Sequence, residues 1–352
     1  MNDQGSKTMP LRRTVVLGGV AAIGAVLFLF PLVTDMMIKV QGVEHLTGDL
    51  RASFKPRALA QTRADMDMVQ AMSNQLQSQT LPALPNALVM SPNQFHDYMD
   101  QNFPDVASGI DQLDTILPKF DALVTGLETQ APNFRNADQI PTNFLPSTVV
   151  PFLFLIPGAV LVLLAVGALS RGRPGLSRAA LVAGFAVGLM FVIAPLVLSV
   201  PAKAKAVDDL TVAFGPVFTD QGVAAVRSDM TVIAAMSDQL QTQTVPALAG
   251  ALKMDPGQFQ DFMGQNFSDV ATGIAQLNAI LPRFEALVAG MEANVGNFQL
   301  AANIPTASHA ATTLTWWFIV PGIALILLGG IGIAGQSRTS GVSTPEQTLE
   351  TV

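Results

Sequence analysis

The sequence predicts an all-α protein with four transmembrane helices and two duplicated extracytoplasmic helical-bundle domains. Three observations predict it. Shifting the sequence by 164 residues lays Met72 to Thr142 over Met236 to Thr306 without a gap, with about 43 of those 71 positions identical, which marks an internal duplication. Half the residues are apolar and only 13% are charged, too few charges for an ordinary soluble chain, and the shortfall is concentrated in four uncharged stretches. Outside those stretches apolar residues recur every three and four positions, and no segment alternates with the period of two that a strand requires.

The uncharged stretches define transmembrane helices at 14–33, 149–170, 179–200 and 316–335, because about 20 residues at 1.5 Å each span a hydrocarbon core of about 30 Å. A buried core helix of that length would show a polar face, and none of the four does. The first stretch follows Arg12 and Arg13 as a signal peptide would, but Thr34-Asp35-Met36-Met37 offers no small-x-small cleavage site, so it reads as an uncleaved anchor.

Short positive segments set the orientation. Residues 1–13 carry Lys7, Arg12 and Arg13, and the loop 171–178 carries Arg171, Arg173 and Arg178 with no acid; both belong in the cytoplasm. The long segments 34–148 and 201–315, with net charges of about −6 and −5, then face outward, and Trp316 and Trp317 mark the outer mouth of the fourth helix. The tail 336–352, rich in Ser, Thr and Gly, is expected to be disordered and cytoplasmic. The correspondence continues into the membrane, with Gly24 and Gly188, Pro31 and Pro195, and Pro157 and Pro321 as equivalents. Both halves thus cross in the same direction, a parallel repeat with its pseudo-twofold axis along the membrane normal.

Within each long segment the elements follow in order. Val43, Leu46, Leu50 and Phe54 step by helical spacing close behind the anchor, as do Val207, Leu210, Phe214 and Phe218. A second helix runs from about Pro56 to Gln79, its proline tolerated in the first turn. Leu81 to Met90 reads as a short helical turn and connection. Ser91-Pro92 and Asp255-Pro256 each place an N-cap before proline at the first helical position, opening a third helix with Phe95, Tyr98, Met99 and Phe103. A fourth begins near Asp105, and Pro118, equivalent to Pro282, is expected to kink or break it. Asn133-Phe134 through Ile140-Pro141-Thr142, echoed at Asn297-Phe298 and Ile304-Pro305-Thr306, reads as an extended connector. Each long segment is thereby a small helical bundle.

Candidate chemistry is sparse. The chain has no cysteine, which removes disulfides, thiol nucleophiles and thiolate metal sites. His45, His96 and His309 lack a second histidine at ligand spacing, and there is no H-E-x-x-H, phosphate loop, G-x-S-x-G or EF-hand pattern. The equivalent carboxylates Asp65 and Asp229, Asp97 and Asp261, Asp105 and Asp269, and Glu128 and Glu292 read as helix-surface and first-turn residues rather than acid/base pairs. No enzyme, cofactor or metal is expected, and the acidic segments argue against nucleic acid.

The feature that stands out is a polar stripe. Gln94, Asp97 and Gln101 share one face of the third helix and recur as Gln258, Asp261 and Gln265, while their outward neighbours Asn93 and His96 become Gly257 and Gln260. Such side chains either cap helix ends or hydrogen-bond across the copies, or else form a partner- or ligand-binding face; Gln75, Gln77, Gln79 and Thr80 are retained likewise. Within the membrane, Pro31, Pro157, Pro195 and Pro321 read as helix kinks. Gly184-x-x-x-Gly188 permits a close helix crossing within the chain or in a homo-oligomer, and no ionisable residue suggests an ion path.

The plan of helix, extracytoplasmic bundle, helix resembles bacterial chemoreceptor sensing modules in outline, with only short segments on the inside face. These features lead to a non-enzymatic scaffold or accessory subunit of the cell envelope, in contact with membrane lipid and envelope membrane proteins. The alternatives are an extracytoplasmic receptor or carrier for a lipid-like hydrophobic ligand, for which the abundant Met and Phe offer adaptable apolar surface, and a component of a transport complex.

Overall fold

The computed structural model describes residues 8–171 and 173–339; Lys7 and the tail from 340 onward lie outside the described residues. The first half contains α1 (Thr8–Val33), α2 (Met36–Leu50), α3 (Pro56–Gln75), α4 (Leu81–Ala87), α5 (Pro92–Asn102), α6 (Pro104–Asp138) and α7 (Phe152–Arg171). The second contains α8 (Pro174–Val197), α9 (Val200–Phe214), α10 (Asp220–Gln239), α11 (Val245–Ala251), α12 (Pro256–Asn266), α13 (Ser268–Ala293), α14 (Val295–Ala302) and α15 (Leu314–Thr339). Among the described residues there is no strand, only isolated bridges at Thr142–Leu145 and Thr306–His309.

The described residues form two compact units. One gathers the chain up to Glu44, Asn136–Asp208 and the residues from Gln299 on; the other gathers His45–Arg135 and Asp209–Phe298. This differs from the division into separate domains at 34–148 and 201–315. The two charged segments build one unit because neither encloses its own core: Met72, Phe95 and Leu113 share a continuous apolar cluster with Met236, Phe259 and Leu277.

The first, apolar unit holds four helical stretches long and apolar enough to cross a membrane, at Arg13–Val33, Ser147–Arg171, Pro174–Val197 and Ala311–Ala334. α1 packs along α7 and α8 along α15. Glycine makes both crossings close. A Cβ built on Gly158 would lie 2.6 Å from the backbone nitrogen of Phe28, and one on Gly188 would lie 2.7 Å from the carbonyl oxygen of Gly322. At Gly184 the nearest atom would be a Val20 methyl at an ordinary 3.7 Å, so the close crossing rests on Gly188 and its partner Gly322 rather than on the Gly184-Gly188 pair. Pro31, Pro157, Pro195 and Pro321 each lie inside an unbroken helix. Phe154 meets Phe318, 164 residues further on, with ring centroids 4.3 Å apart.

In the second unit, α6 runs through both Pro118 and Pro132 without interruption, so the break allowed at Pro118 does not occur. Asn133 and Phe134 belong to that helix rather than to an extended connector, and Asn297 and Phe298 belong to α14. Their rings explain the helical choice: Phe134 stacks on Phe54 at 3.9 Å and Phe298 on Phe218 at 4.7 Å, which anchors each helix end to a neighbour. Equivalent phenylalanines again meet, Phe120 against Phe284 edge to face at 5.8 Å. Gly109 admits the side chain of Met236, and Gly273 that of Met72, each so close that an added Cβ would overlap it.

Between α3 and α4 the chain makes a π-helical turn, Leu76–Thr80, and between α10 and α11 another, Leu240–Thr244. The wider turn lengthens the reach to the carbonyl five residues back. The Thr80 hydroxyl donates to Gln75 O at 3.3 Å and the Thr244 hydroxyl to Gln239 O at 3.2 Å, which accounts for the threonine in both copies.

Candidate functional site

The polar residues singled out by sequence fall into two groups. Gln94 is the N3 residue of a capping box: its Oε1 accepts from Ser91 N–H at 2.9 Å, while its own N–H donates to Ser91 Oγ at 3.2 Å. Gln258 does the same with Asp255, at 3.1 and 2.9 Å. This reciprocal arrangement satisfies backbone donors that a helix start leaves open. Asp97, Gln101, Asp261 and Gln265 are exposed, and their side chains make no hydrogen bond or ion pair among the described residues.

Other polar residues retained at the 164-residue spacing hold the second unit together from within. Gln75 Oε1 accepts from the Asp269 and Val270 N–H groups at 2.8 and 3.0 Å, capping α13, and Gln239 Oε1 accepts from Asp105 and Val106 at 2.9 and 3.0 Å, capping α6. Each glutamine thus caps a helix of the other copy. The ions are exchanged in the same sense. Arg283 donates from Nε and Nη2 to the two oxygens of Asp65 at 2.6 and 2.7 Å, and Lys119 pairs with Asp229 at 2.8 Å. Asp65 is buried, not on a helix surface as its spacing from Arg63 suggests.

Arg63 reaches Asp121 at 2.6 Å and Glu128 at 2.7 Å, and hydrogen bonds to these two carboxylates hold its guanidinium above the ordinary arginine value. Its equivalent Arg227 pairs with Glu292 at 2.5 Å. These carboxylates are therefore engaged by cations. His45, His96 and His309 are all exposed; His96 lies 3.5 Å from Asp100, and His309 Nδ1 lies 2.9 Å from Thr306 Oγ1. Among the described residues no group of three His, Asp or Glu is placed to hold a metal ion.

The apolar unit contains the other concentration of polar contacts. Lys39 donates to the carbonyl of Pro305 at 2.9 Å, and Lys203 donates to the carbonyls of Gln139 and Pro141, both at 2.8 Å. The two lysines are 164 residues apart, each bonding to the other half of the chain. Ile140-Pro141 and Ile304-Pro305 are cis peptides. Glu44 and Asp208, also 164 residues apart, bond instead within their own halves: Glu44 Oε2 accepts from Ser147 N–H at 2.8 Å, and Asp208 from Ala311 N–H at 2.6 Å, each at the start of a 3-10 turn. Burial pushes the Lys203 ammonium below the ordinary lysine value.

Lys203 also lines a cavity of about 90 Å³ whose other walls are almost entirely apolar, among them Met36, Val40, Leu153, Ala194 and Phe318. Within the second unit, two smaller apolar cavities of about 40 and 50 Å³ lie among core side chains. The lysines did not stand out in the sequence because they sit beside apolar stretches, where a positive residue reads as a membrane flank. Their signal was available: Lys39 and Lys203 are equivalents in a segment, 34–42 against 198–206, where every other residue differs.

The arrangement defines an all-helical protein with four helices able to span a membrane and a second unit whose retained polar residues are largely spent on its own construction-like joints, the caps and ion pairs described. No protein-family model matches the chain, and no curated protein matches it.

Proposed function

We propose that the chain is a non-enzymatic multi-pass membrane protein that presents one interlocked helical head outside the cytoplasm, as a scaffold or accessory subunit of the cell envelope. The observation that carries this reading is the reciprocal capping of α6 by Gln239 and α13 by Gln75, joined by the reciprocal ion pairs. These contacts stiffen the head without leaving a cluster of activated side chains in it, as suits a surface that is presented rather than a catalyst. The duplicated sequence supplies both halves of that exchange. The exposed residues Asp97, Gln101, Asp261 and Gln265 remain as the partner-facing candidates, whereas Gln94 and Gln258 are withdrawn into capping boxes.

Orientation follows the positive-inside bias, with the termini and the 171–178 loop in the cytoplasm. The chain has no cysteine, so single introduced thiols report cleanly. Asp97→Cys and Asp261→Cys should react with an impermeant thiol reagent in spheroplasts, and Gly175→Cys, at an exposed position with open space for a side chain, should not. The reverse pattern would overturn the topology. For the scaffold role, alanine at Asp97, Gln101, Asp261 and Gln265 together should abolish stoichiometric co-purification of a membrane-protein partner while helicity and membrane insertion stay unchanged. Retention of every partner by that variant would refute the assigned face.

A further inference from the structure

The two halves of the apolar unit differ at one place in a way that opens a cavity. Phe30 stacks on Trp317 with ring centroids 4.2 Å apart. The residues 164 positions from them are Ala194 and Leu153, and both line the cavity of about 90 Å³ beside Lys203. Where one half sets an aromatic pair, which walls a shallow pocket of about 350 Å³ with Pro305 and His309, the other has a methyl and an isobutyl group beside the Lys203 ammonium. Packed interiors hold few voids larger than a water molecule, so a cavity at this size differs from ordinary packing.

Its chemistry is that of an amphiphile site. The lining is apolar apart from Lys203 and Ser147, and the Ser147 hydroxyl is occupied, donating to Val40 O at 3.0 Å. An ammonium carries three donors, and the two carbonyls take two of them. Among the described residues no carboxylate pairs with Lys203, so a partly desolvated positive charge stands at the rim of an apolar space without a counter-ion. Desolvated charges are ordinarily paired. The lining residues Val150, Leu153, Ala194 and Leu314 lie at one end of their spans, Ser147–Arg171, Pro174–Val197 and Ala311–Ala334, the depth at which lipid headgroups meet hydrocarbon. Apolar cavities that admit a benzene ring measure about 150 Å³; about 90 Å³ suits a narrow chain instead.

We propose that this cavity binds a long-chain carboxylate, with the head at the Lys203 ammonium and the first methylenes between Leu153 and Ala194. The exposed apolar side chains Ile193, Leu196 and Val197 at the same end of α8 continue the surface along which the chain runs. A carboxylate there supplies the missing counter-ion and the third hydrogen bond, and charge-assisted bonds of this kind are roughly twice as strong as neutral ones. Lys39 does not line this cavity, and the pocket walled by the stacked Phe30 and Trp317 does not include Lys39 among its lining residues. This inference goes beyond the scaffold role and does not depend on it.

A photoactivatable palmitate analogue, applied to the full chain in lipid nanodiscs and mapped by mass spectrometry, tests it. Labelling should fall in the first turns of α7 or the last turns of α8, and unlabelled palmitate should compete at least tenfold better than hexadecanol. Lys203→Gln keeps hydrogen-bond donors without the charge and should weaken palmitate competition about tenfold, equivalent to about 1.4 kcal/mol, leaving hexadecanol unchanged; Lys39→Gln should change neither. Ala194→Phe, which copies the residue at position 30, should abolish labelling. Equal competition by the alcohol, equal effects of the two lysine variants, or full labelling of a folded Ala194→Phe protein would each overturn the proposal. Should Ala194→Phe fail to fold, the contrast between Lys203→Gln and Lys39→Gln decides alone.

Discussion

Removing Arg283 tests whether the exchanged ion pairs hold the second unit together. The Asp65 side chain is 4% exposed and that of Arg283 42%. Arg283→Met would leave the carboxylate with one neutral donor, Gln61 Nε2 at 2.9 Å. Breaking a buried pair by deleting one partner costs about 3–5 kcal/mol, and because the guanidinium is half exposed, water can enter in its place, which selects the lower end, about 3 kcal/mol. The equivalent pair is more open, with Lys119 48% and Asp229 16% exposed, so Lys119→Met should cost about 1 kcal/mol. For a unit of 150–250 residues each kcal/mol moves the melting temperature by roughly 2–4 °C, so thermal melts of the full chain in detergent should fall by roughly 6–12 °C and roughly 2–4 °C respectively. Asp65→Leu combined with Arg283→Met should recover most of the larger loss, since a buried pair replaced by apolar groups is near neutral. Equal shifts for Arg283→Met and Lys119→Met, or a double variant as unstable as the single one, would refute the reasoning.

Val89 ends α4 at a positive φ of 56°, with Met90 N–H bonded to Pro85 O at 2.8 Å and Val89 N–H to Asn86 O at 3.2 Å, a Schellman turn that favours glycine; Val89→Gly should stabilise by about 1 kcal/mol, read as a higher melting temperature, and a lower one would show that the exposed valine makes an unrecognised contact. Gly188→Leu should disrupt the α8–α15 crossing and lower folded yield in membranes, whereas Gly184→Ala, with its nearest neighbour at 3.7 Å, should insert normally; equal tolerance of both would refute the crossing. Gln75→Ala and Gln239→Ala should each cost about 1 kcal/mol as lost helix caps, and amide exchange should rise at Asp269 and Val270 in the first and at Asp105 and Val106 in the second. Lys203 sits below its ordinary value of 10.5 through burial, so the unfolded chain binds this proton more tightly and stability should rise as pH rises from the folded value toward 10.5; Lys203→Met should flatten that alkaline gain, and an unchanged slope would place its origin elsewhere. Arg63, raised by its carboxylate partners, contributes the opposite sign, with stability lost only above the ordinary arginine range.

The four long apolar helices were legible because about 20 uncharged residues admit few other readings, and the starts of α5 and α12 because Ser91-Pro92 and Asp255-Pro256 each place an N-cap before proline in two adjacent residues. What stayed hidden is whatever depends on which helix faces meet. Periodicity shows that α3 has an apolar face; it does not show that Met72 enters the notch at Gly273, or that Asp65 is covered by a helix from the other half of the chain. The extended reading of Asn133-Phe134 failed for the same reason, since the stacking of Phe134 on Phe54 is a tertiary contact that overrides a locally weak helix signal. The polar stripe divided because Gln94 stands three residues after Ser91 and Gln258 three after Asp255, the capping-box spacing, which a reading by helix face alone passes over: Gln94 closes its own helix start, while Asp97 and Gln101 face outward beyond it.

Retention between the halves is therefore better at locating joints than at locating a binding site. A residue that must meet its equivalent, or the equivalent of its partner, is constrained twice by one geometry, as Gln75 and Gln239 are by the two helix starts they cap, and Lys39 and Lys203 by the two proline carbonyls. A ligand that binds once imposes no such double constraint. Its site should appear where the halves disagree, and the substitution of Ala194 and Leu153 for the stacked pair Phe30 and Trp317 is a disagreement of that kind: it leaves the lysine exchange intact and gives the Lys203 ammonium an apolar cavity that Lys39 does not line. Divergence of Asn93 and His96 around the α5 stripe carries no comparable volume change, which is why the cavity at Lys203, and not the stripe, supports a ligand of stated chemistry.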